Sequence, residues 1–477
     1  MALLSPALLL LLLQNRSWGA SLGFLFGLGF FGSSVYWVYH SISTYGHTPA
    51  PMAFLITVFF ISGLSLFPAS LGYFLNRYLP QLSLRRCCLG FPSAWILLEW
   101  VRSTIFTGFP WVLIGYSLGD SPIAPLAAWI GGYGLGLISL INSGLLGYSL
   151  LKKNLLLLIC SLLFIPVLSL LPTRELWTSI HEQPLTVALV QGNFAQEEKW
   201  DITQVERILG KYRTITESAL DHDLILWTES AIPIPVQYLP NYLQGIDNMA
   251  KAHQSTVIVG APSMTAAGDQ YQNGIYALGK GQGYYFKRHL VPFGEYLPFA
   301  HWLRGLIGLF DIPMSNFIPG SPQQPLLTAG ATPLQSLICY EIAYSELVRD
   351  NIANAKALLV VSDDSWFGRS NALAQHLQIA KLRAMEVGRE ILFASNTGIS
   401  AIIDSKGKIL AEAPSFTQAV LSSELHLRTG LTPYARYGNT PWLGICLLML
   451  LGSINPLLHR QFWKILSLGN RHRVEYD

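Results

Sequence analysis

The sequence predicts an α-helical transmembrane bundle joined to an α/β domain, on three observations. Of 477 residues, 51% are hydrophobic and only 12% charged, about half the charge of an ordinary soluble chain. The charges are unevenly spread: 1–172 holds few, whereas 173–440 has the composition of a soluble domain. Within 173–440, short apolar runs alternate with amphipathic stretches, the pattern of strands and helices in an α/β layer. The net charge of +3 excludes a strongly basic nucleic-acid binder, and no basic cluster is interleaved with aromatics as a nucleic-acid groove requires.

Apolar segments run over 2–13, 22–39, 53–75, 87–101, 125–150, 155–171 and 442–458. Most approach the ~20 residues that cross a bilayer core, so seven spans are expected. The first has no basic residue ahead of it and Arg16 behind it, which marks a helix and not a signal peptide. The expected domains are 1–172 with about six spans, 173–440 as the catalytic domain, and 441–477 as a final span and tail. Arg16, then Arg77, Arg85 and Arg86, then Lys152 and Lys153 mark alternate connections, and 41–51 and 106–120 contain no Lys or Arg. The positive-inside rule makes the basic connections cytoplasmic and places 173–440 on the opposite side. The tail, with Arg460, Lys464, Arg471 and Arg473, returns to the cytoplasm.

Two features of the membrane part stand out. Glu99 and Arg102, three apart, are expected to pair on one helix face, a pair either structural or functional. The aromatics of 106–111 (Phe-Thr-Gly-Phe-Pro-Trp) suit headgroup anchoring. Their alternative role is a rim that guides lipid toward the domain.

In the second part, strands are expected at 185–191, 224–227, 257–261, 334–339, 357–362 and 391–395. A hairpin, 273–278 with 283–287, turns at 279–281, and a last run over 401–410 turns at 405–408. Helices are expected at 203–220 and 374–388, and the Pro- and Gly-rich stretch 316–333 reads as a mobile loop.

Five cysteines occur, and Cys87, Cys88, Cys160 and Cys446 lie in or beside apolar segments. Cys339 alone lies in the polar part, so it has no disulfide partner there. It closes the apolar run Leu337-Ile338-Cys339 ahead of Tyr340 and Glu341, as a strand does when it delivers a nucleophile. A thiol needs a base for its proton and a cation for the developing charge. Glu229 follows the apolar run 224–228, where partial burial raises a carboxylate's basicity. Lys287 ends the strand Tyr284-Tyr285-Phe286. Singly these residues read as a surface carboxylate, a snorkelling lysine and a core cysteine. Together, each at a strand end, they form a Glu-Lys-Cys constellation for acyl transfer.

The motifs carrying this set are Val190-Gln191-Gly192-Asn193, Trp227-Thr228-Glu229-Ser230, Lys287 through Tyr296, Ile338-Cys339-Tyr340-Glu341, Asp364 through Gly368, and Gln375-His376 through Arg389. With Leu98-Glu99-Trp100 and Phe109-Pro110-Trp111 in the membrane part, the chain resembles the bacterial apolipoprotein N-acyltransferases. These are the membrane-embedded branch of the nitrilase, or carbon–nitrogen hydrolase, superfamily. The resemblance spans nearly the whole chain. The family has eight spans, and its first has no counterpart among the seven expected here.

The resemblance implies a nitrilase-like αββα sandwich, no cofactor and no metal. It implies ping-pong transfer of an acyl chain from a membrane glycerophospholipid, through a thioester on Cys339, to the α-amine of a diacylglyceryl-cysteine at an apolipoprotein N-terminus. Glu229 is then the base, and Lys287 with the Tyr340 backbone N–H holds the oxyanion. Glu295 is the second carboxylate beside the triad, and Tyr340 and Glu341 shape the pocket. Trp200, Asn273, Phe293, Tyr296 and Trp366 match substrate-side positions, while His289 and His376 read as packing residues.

Both substrates carry acyl chains worth about 0.8 kcal/mol per buried CH₂, so the domain is expected to sit on the bacterial inner membrane from the periplasmic side. The aromatic stretches 293–299 and 301–313 read as loops that enter the interface and exclude water. The competing enzyme is a membrane-tethered amidase acting on a small soluble amide, for which one anchor suffices. The competing non-enzyme is a transporter with a sensor domain, against which the spans show no inverted repeat.

Overall fold

The computed structural model describes residues 3–14, 16–46, 48–171, 177–180, 182–296 and 316–469, with backbone alone at 16 and over 455–469. Each apolar segment of the first part is helical: Leu4–Leu12, Gly19–Ser34, Ala50–Tyr78, Phe91–Arg102, Ala127–Lys152, Leu155–Leu168 and, at the far end, Thr440–Gly469.

Among the described residues the seven expected spans are borne out in part. Two helices, Ala50–Tyr78 and Ala124–Lys152, are long and apolar enough to cross a membrane. A third results if Gly19–Ser34 and Val38–Tyr45, bent by 65°, count as one. Counting apolar residues overlooked the breaks. Leu4–Leu12 has nine residues, about 13 Å of rise. Phe91–Arg102 has twelve and follows a π-helical turn, Arg86–Gly90.

Among the described residues fourteen strands follow. They are β1 Thr178–Ile180, β2 Leu185–Gln191, β3 Leu224–Leu226, β4 Thr256–Met264, β5 Tyr271–Gly279, β6 Tyr284–Phe286, β7 Leu327–Ala329 and β8 Thr332–Ile338, then β9 Ala357–Ser362, β10 Ile391–Ser395, β11 Ser400–Ile403, β12 Ile409–Ala413, β13 Ala419–Leu425 and β14 Arg428–Gly430. Twelve form two six-stranded sheets, ordered β13-β2-β3-β4-β5-β6 and β12-β11-β10-β9-β8-β7, and β1 pairs with β14. The centre of each sheet is parallel: β2, β3 and β4 in one, β8, β9 and β10 in the other.

The period-2 geometry of strands divides the core. Val187, Leu189, Leu224, Leu226 and Ile258 join Ile338, Leu359 and Leu392 in a cluster between the sheets. The alternate residues Ala188, Val190, Ile225, Val257 and Val259 pack with Ile208, Tyr212 and Ile215 of helix Val205–Glu217 and with Ile246 and Ala250 of helix Pro240–Ala252. Helix Ala372–Val387 covers β10 and β11 on the other side and also lies against Ala127–Lys152. The layers are therefore helix, sheet, sheet, helix, with the outer face of one helix layer on the membrane part.

The stretch 316–333 is not simply a loop. It contains β7 and the start of β8, joined through Gly330 at φ +57. A glycine tolerates that left-handed conformation, so what read as loop composition is a hairpin turn.

Candidate active site

The parallel strands of both sheets end at one place, and each candidate side chain leaves from a strand end there. Glu229 lies three residues beyond β3, Lys287 directly follows β6, and Cys339 directly follows β8. Cys339 opens the 3₁₀ turn Cys339–Ala343 with φ 54. A non-glycine residue in that region is strained and is held by its surroundings. All three are buried: Glu229 is 6% exposed, Lys287 1% and Cys339 8%.

The Lys287 ammonium donates to Glu295 Oε1 at 2.8 Å and to Glu229 Oε1 at 3.2 Å. Asn273 in β5 stands between the same carboxylates, its Nδ2 at 2.7 Å from Glu229 Oε1 and 3.3 Å from Glu295 Oε1. Glu229 Oε2 accepts the Asp363 backbone N–H at 2.8 Å, and Glu295 Oε2 accepts that of Val291 at 2.8 Å. One cation is thus shared by two carboxylates whose orientations are fixed from behind.

Burial raises the Glu229 carboxyl above the ordinary carboxylate range; Lys287 opposes this, and Glu295 and Asp363 add to it. Burial disfavours the Lys287 charge, but Glu229 and Glu295 outweigh burial and hold the ammonium well above the usual lysine value. Burial and then the Glu229 charge push the Cys339 thiol far up, against the pull of Lys287. The Cys339 thiol and the Lys287 ammonium are therefore both held in their protonated forms, and Glu229 is strengthened as a base. This arrangement keeps the thiol protonated at rest.

Glu341, fully buried, gathers four hydrogen-bond donors. Its Oε1 accepts the N–H groups of Arg288 at 2.7 Å and His289 at 3.1 Å. Its Oε2 accepts the Ile338 N–H at 2.8 Å and the Tyr285 hydroxyl at 2.9 Å. Four donors from the cysteine turn and the lysine strand meet on one carboxylate and fix the two against each other. Glu341→Gln turns an amide N–H₂ toward at least one of these donors. The expected result is a loss of about 2–3 kcal/mol of stability, read as a lowered melting temperature, with weaker acyl transfer following from it.

The remaining expected residues are distributed around this centre. Tyr340 stacks on Trp111 with centroids 6.1 Å apart, and its hydroxyl reaches the Gly108 carbonyl at 3.3 Å. Asn273, 2% exposed, belongs to the carboxylate cluster itself. Phe293 has φ 61 and is 59% exposed, while Glu295 two residues on turns inward. Tyr296 is half-buried, and its carbonyl accepts the Phe293 N–H at 2.8 Å. Trp366 packs on Tyr45 at 5.0 Å, and its carbonyl accepts the Ser41 hydroxyl at 2.6 Å. Trp200 is 37% exposed and follows the short helix Gln196–Lys199. The stretch 301–313 and the end of 293–299 lie outside the described residues.

His289 stacks on Tyr344 at 3.8 Å, and burial, then Lys287, pushes its imidazole down to about 4, so it is uncharged near neutrality. His376 has its Nδ1 at 2.9 Å from Asp364 Oδ1 and its Nε2 at 3.3 Å from the Cys339 carbonyl. It packs among Trp111, Phe367 and Phe393.

Glu99 and Arg102 each bond elsewhere than to one another. Glu99 Oε1 accepts from Trp95 Nε1 at 3.1 Å and the Ile114 N–H at 2.9 Å, while Arg102 donates to the carbonyls of Phe109 at 2.6 Å and Trp111 at 2.7 Å. Their helical spacing is right, but the backbone of 109–114 comes down onto that face and offers closer partners. The aromatic loop itself divides: Phe106 is 81% exposed, whereas Trp111 is 1% exposed and packed on Tyr340.

Sequence reasoning missed Lys199. It is 2% exposed, donates to the Glu229 backbone carbonyl at 2.9 Å and pairs with Asp363. Asp363 in turn accepts from Asn396 Nδ2 at 3.2 Å. Lys199 and Asn396 brace the backbone around the base, and the adjacency of Lys199 to Trp200 was the one available signal.

Comparison with known proteins completes the description. Residues 1–145 match the apolipoprotein N-acyltransferase N-terminal domain, and 186–432 match the carbon–nitrogen hydrolase family. An apolipoprotein N-acyltransferase of Coxiella burnetii is 39% identical over 462 residues, 94% of this chain and 94% of that protein. One from Photobacterium profundum is 39% identical over 458 residues, 92% of this chain and 87% of that protein. One from Azotobacter vinelandii is 39% identical over 464 residues, 94% of this chain and 89% of that protein. The solved structure of Saccharomyces cerevisiae Nit3, a nitrilase-superfamily member, aligns with 52% of this chain and 93% of its own at 17% identity and TM-score 0.39, a likeness on which nothing below rests.

Proposed function

The chain belongs to the apolipoprotein N-acyltransferase family, within the carbon–nitrogen hydrolase superfamily, and on that premise we propose that Cys339, Glu229 and Lys287 carry its acyl transfer. The observation that supports this most is the convergence of a strained cysteine, a base and a shared cation at the strand ends of two facing sheets.

In the first half-reaction Glu229 takes the thiol proton as sulfur attacks an ester carbonyl of a membrane glycerophospholipid. Lys287 and the Tyr340 backbone N–H hold the tetrahedral oxyanion. Collapse breaks the C–O bond, and the departing lysophospholipid alkoxide takes the proton from Glu229. In the second half-reaction the α-amine of a diacylglyceryl-cysteine attacks the thioester, Glu229 removes its proton, and collapse breaks the C–S bond as the new amide forms, the Cys339 sulfur taking the proton back from Glu229. Glu295 holds Lys287 in place throughout. Phe293 and Tyr296 at the mouth, with Trp200 and Trp366, contact the substrates.

The test against a soluble-amide hydrolase uses purified protein in detergent with phospholipid alone. Release of one lysophospholipid per enzyme, without turnover until an apolipoprotein is added, fits the proposal. Turnover of small amides without lysophospholipid release contradicts it.

The raised Glu229 carboxyl gives a prediction on pH. The base must be ionised to accept the thiol proton, so the acid limb of thioester formation lies above the ordinary glutamate range. Because the Glu295 charge raises Glu229, Glu295→Gln is expected to move that limb to lower pH. A limb unmoved or moved upward, measured as acyl-enzyme formation against pH, contradicts the assignment of Glu229.

We place 173–440 on the periplasmic side of the inner membrane, supported by the alternation of basic connections. Cysteine-accessibility labelling is expected to reach positions in 41–51 and 182–296 from outside, and Lys152 replaced by Cys only from inside. Labelling of position 152 from outside contradicts this orientation.

A further inference from the structure

Helix Ala372–Val387 buries two opposite charges that the mechanism above does not use, Arg383 at 2% exposure and Glu386 at 0%. Four of the five N–H donors of the Arg383 guanidinium are engaged. Its Nε donates to the Ile342 carbonyl at 3.0 Å, and its Nη2 donates to the Ala343 carbonyl at 2.8 Å and the Tyr116 hydroxyl at 2.8 Å. Its Nη1 donates to Glu386 Oε2 at 2.5 Å.

These partners come from different parts of the molecule. Ile342 and Ala343 end the turn that Cys339 opens, where a short helix leaves carbonyls without partners of its own. Tyr116 lies in the turn Ile114–Leu118 of the first part, and its hydroxyl also reaches the Pro110 carbonyl at 3.1 Å. Glu386 Oε1 accepts the Gly132 N–H at 2.7 Å. That amide follows Gly131, whose φ of 62 breaks helix Ala127–Lys152. One ion pair therefore joins the nucleophile's turn to two segments of the membrane part.

Apolar packing holds two bodies together but leaves their register soft, whereas a planar guanidinium fork with partners on all three nitrogens fixes direction and distance. A buried charge is tolerated only when its partners are so placed. We propose that Arg383, anchored through Glu386 on Gly132, is a positioning residue. It sets the Cys339 turn at a fixed place relative to the membrane part, so that the thiol meets an ester carbonyl presented at the bilayer surface. The proposal rests on the reading of Cys339 as nucleophile. Arg383 touches neither substrate nor reacting atoms; it acts through the far end of the turn.

Arg383→Lys keeps the charge and loses the fork. The full-length variant is assayed for thioester formation from phospholipid vesicles and from a short-chain water-soluble ester, with the melting temperature measured alongside. Transfer from vesicles is expected to fall about 100-fold, the scale of a misplacement near 1 Å, while reaction with the soluble ester stays within about twofold. Tyr116→Phe, which keeps the ring and removes one acceptor of the fork, is expected to show the same split more weakly. Equal losses with both donors would reduce Arg383 to a support of the fold, and unchanged transfer from vesicles would also overturn the proposal. Absence of any thioester on Cys339 in the unmodified enzyme would overturn the nucleophile reading and this proposal with it, an outcome visible before any variant is made.

Discussion

Cys339→Ala is expected to abolish acyl transfer while the protein remains folded in the membrane. Removing one sulfur from a site 8% exposed changes stability by about 1 kcal/mol, and alanine at φ 54 is no more strained than cysteine. The chemical loss is of another order. Without sulfur no thioester forms, and the reaction divided into two steps has no first step; removing a triad nucleophile costs on the order of 10⁶ in rate. Cys339→Ser keeps the size and the geometry but offers an alcohol, whose proton Glu229 is too weak a base to accept. Its activity is expected near that of the alanine variant. The measurement is N-acylation of an apolipoprotein substrate, normalised to folded protein, and appreciable activity in Cys339→Ala rules the nucleophile out.

The second large effect divides the labour of Glu229 and Lys287. Glu229→Gln removes the acceptor of the thiol proton and is expected to slow thioester formation about 10²–10⁴-fold. Its amide also meets the Asp363 N–H, or the donors Asn273 and Lys287 on the other side, so stability falls as well. Lys287→Met removes the oxyanion's cation, worth about 3–4 kcal/mol in a site of this kind. It also leaves Glu229 and Glu295 with only Asn273 and backbone amides between them, and breaking such a buried pair costs about 3–5 kcal/mol of stability. Rates must therefore be taken per folded molecule. A variant that accumulates acyl-enzyme at the normal rate but fails to transfer it belongs to the second half-reaction only.

Much of the catalytic domain was legible because its central strands are buried on both faces and read as unbroken apolar runs. For 185–191, 357–362 and 391–395 the expected strands coincide with β2, β9 and β10. The strand ends then pointed to Glu229, Lys287 and Cys339, since a charged or nucleophilic residue directly after such a run leaves the core at the sheet edge. Less legible were residues whose role depends on long-range contacts. Lys199 sits in a polar four-residue helix that looks like surface, and only the fold carries it to Asp363 and the Glu229 carbonyl. The four donors on Glu341 were hidden in the same way, since they arrive from both the cysteine turn and the lysine strand. Two or three of the seven expected spans have the length of a crossing in one helix; apolar composition does not register the bend at 35–37 or the π turn at 86–90. Strand β13, Ala419–Leu425, was passed over although its burial alternates strictly, half-in and out. Its Ser-Ser-Glu content hid an edge strand of period two.

The most direct measurement is an intact and peptide mass spectrum of the enzyme after incubation with phospholipid and no acceptor. One acyl chain per enzyme, on the peptide containing Cys339, labile to hydroxylamine and matched by an equal amount of lysophospholipid, is the result this account predicts. An enzyme that acylates apolipoprotein yet carries no acyl chain on Cys339, or carries it on another residue, contradicts it.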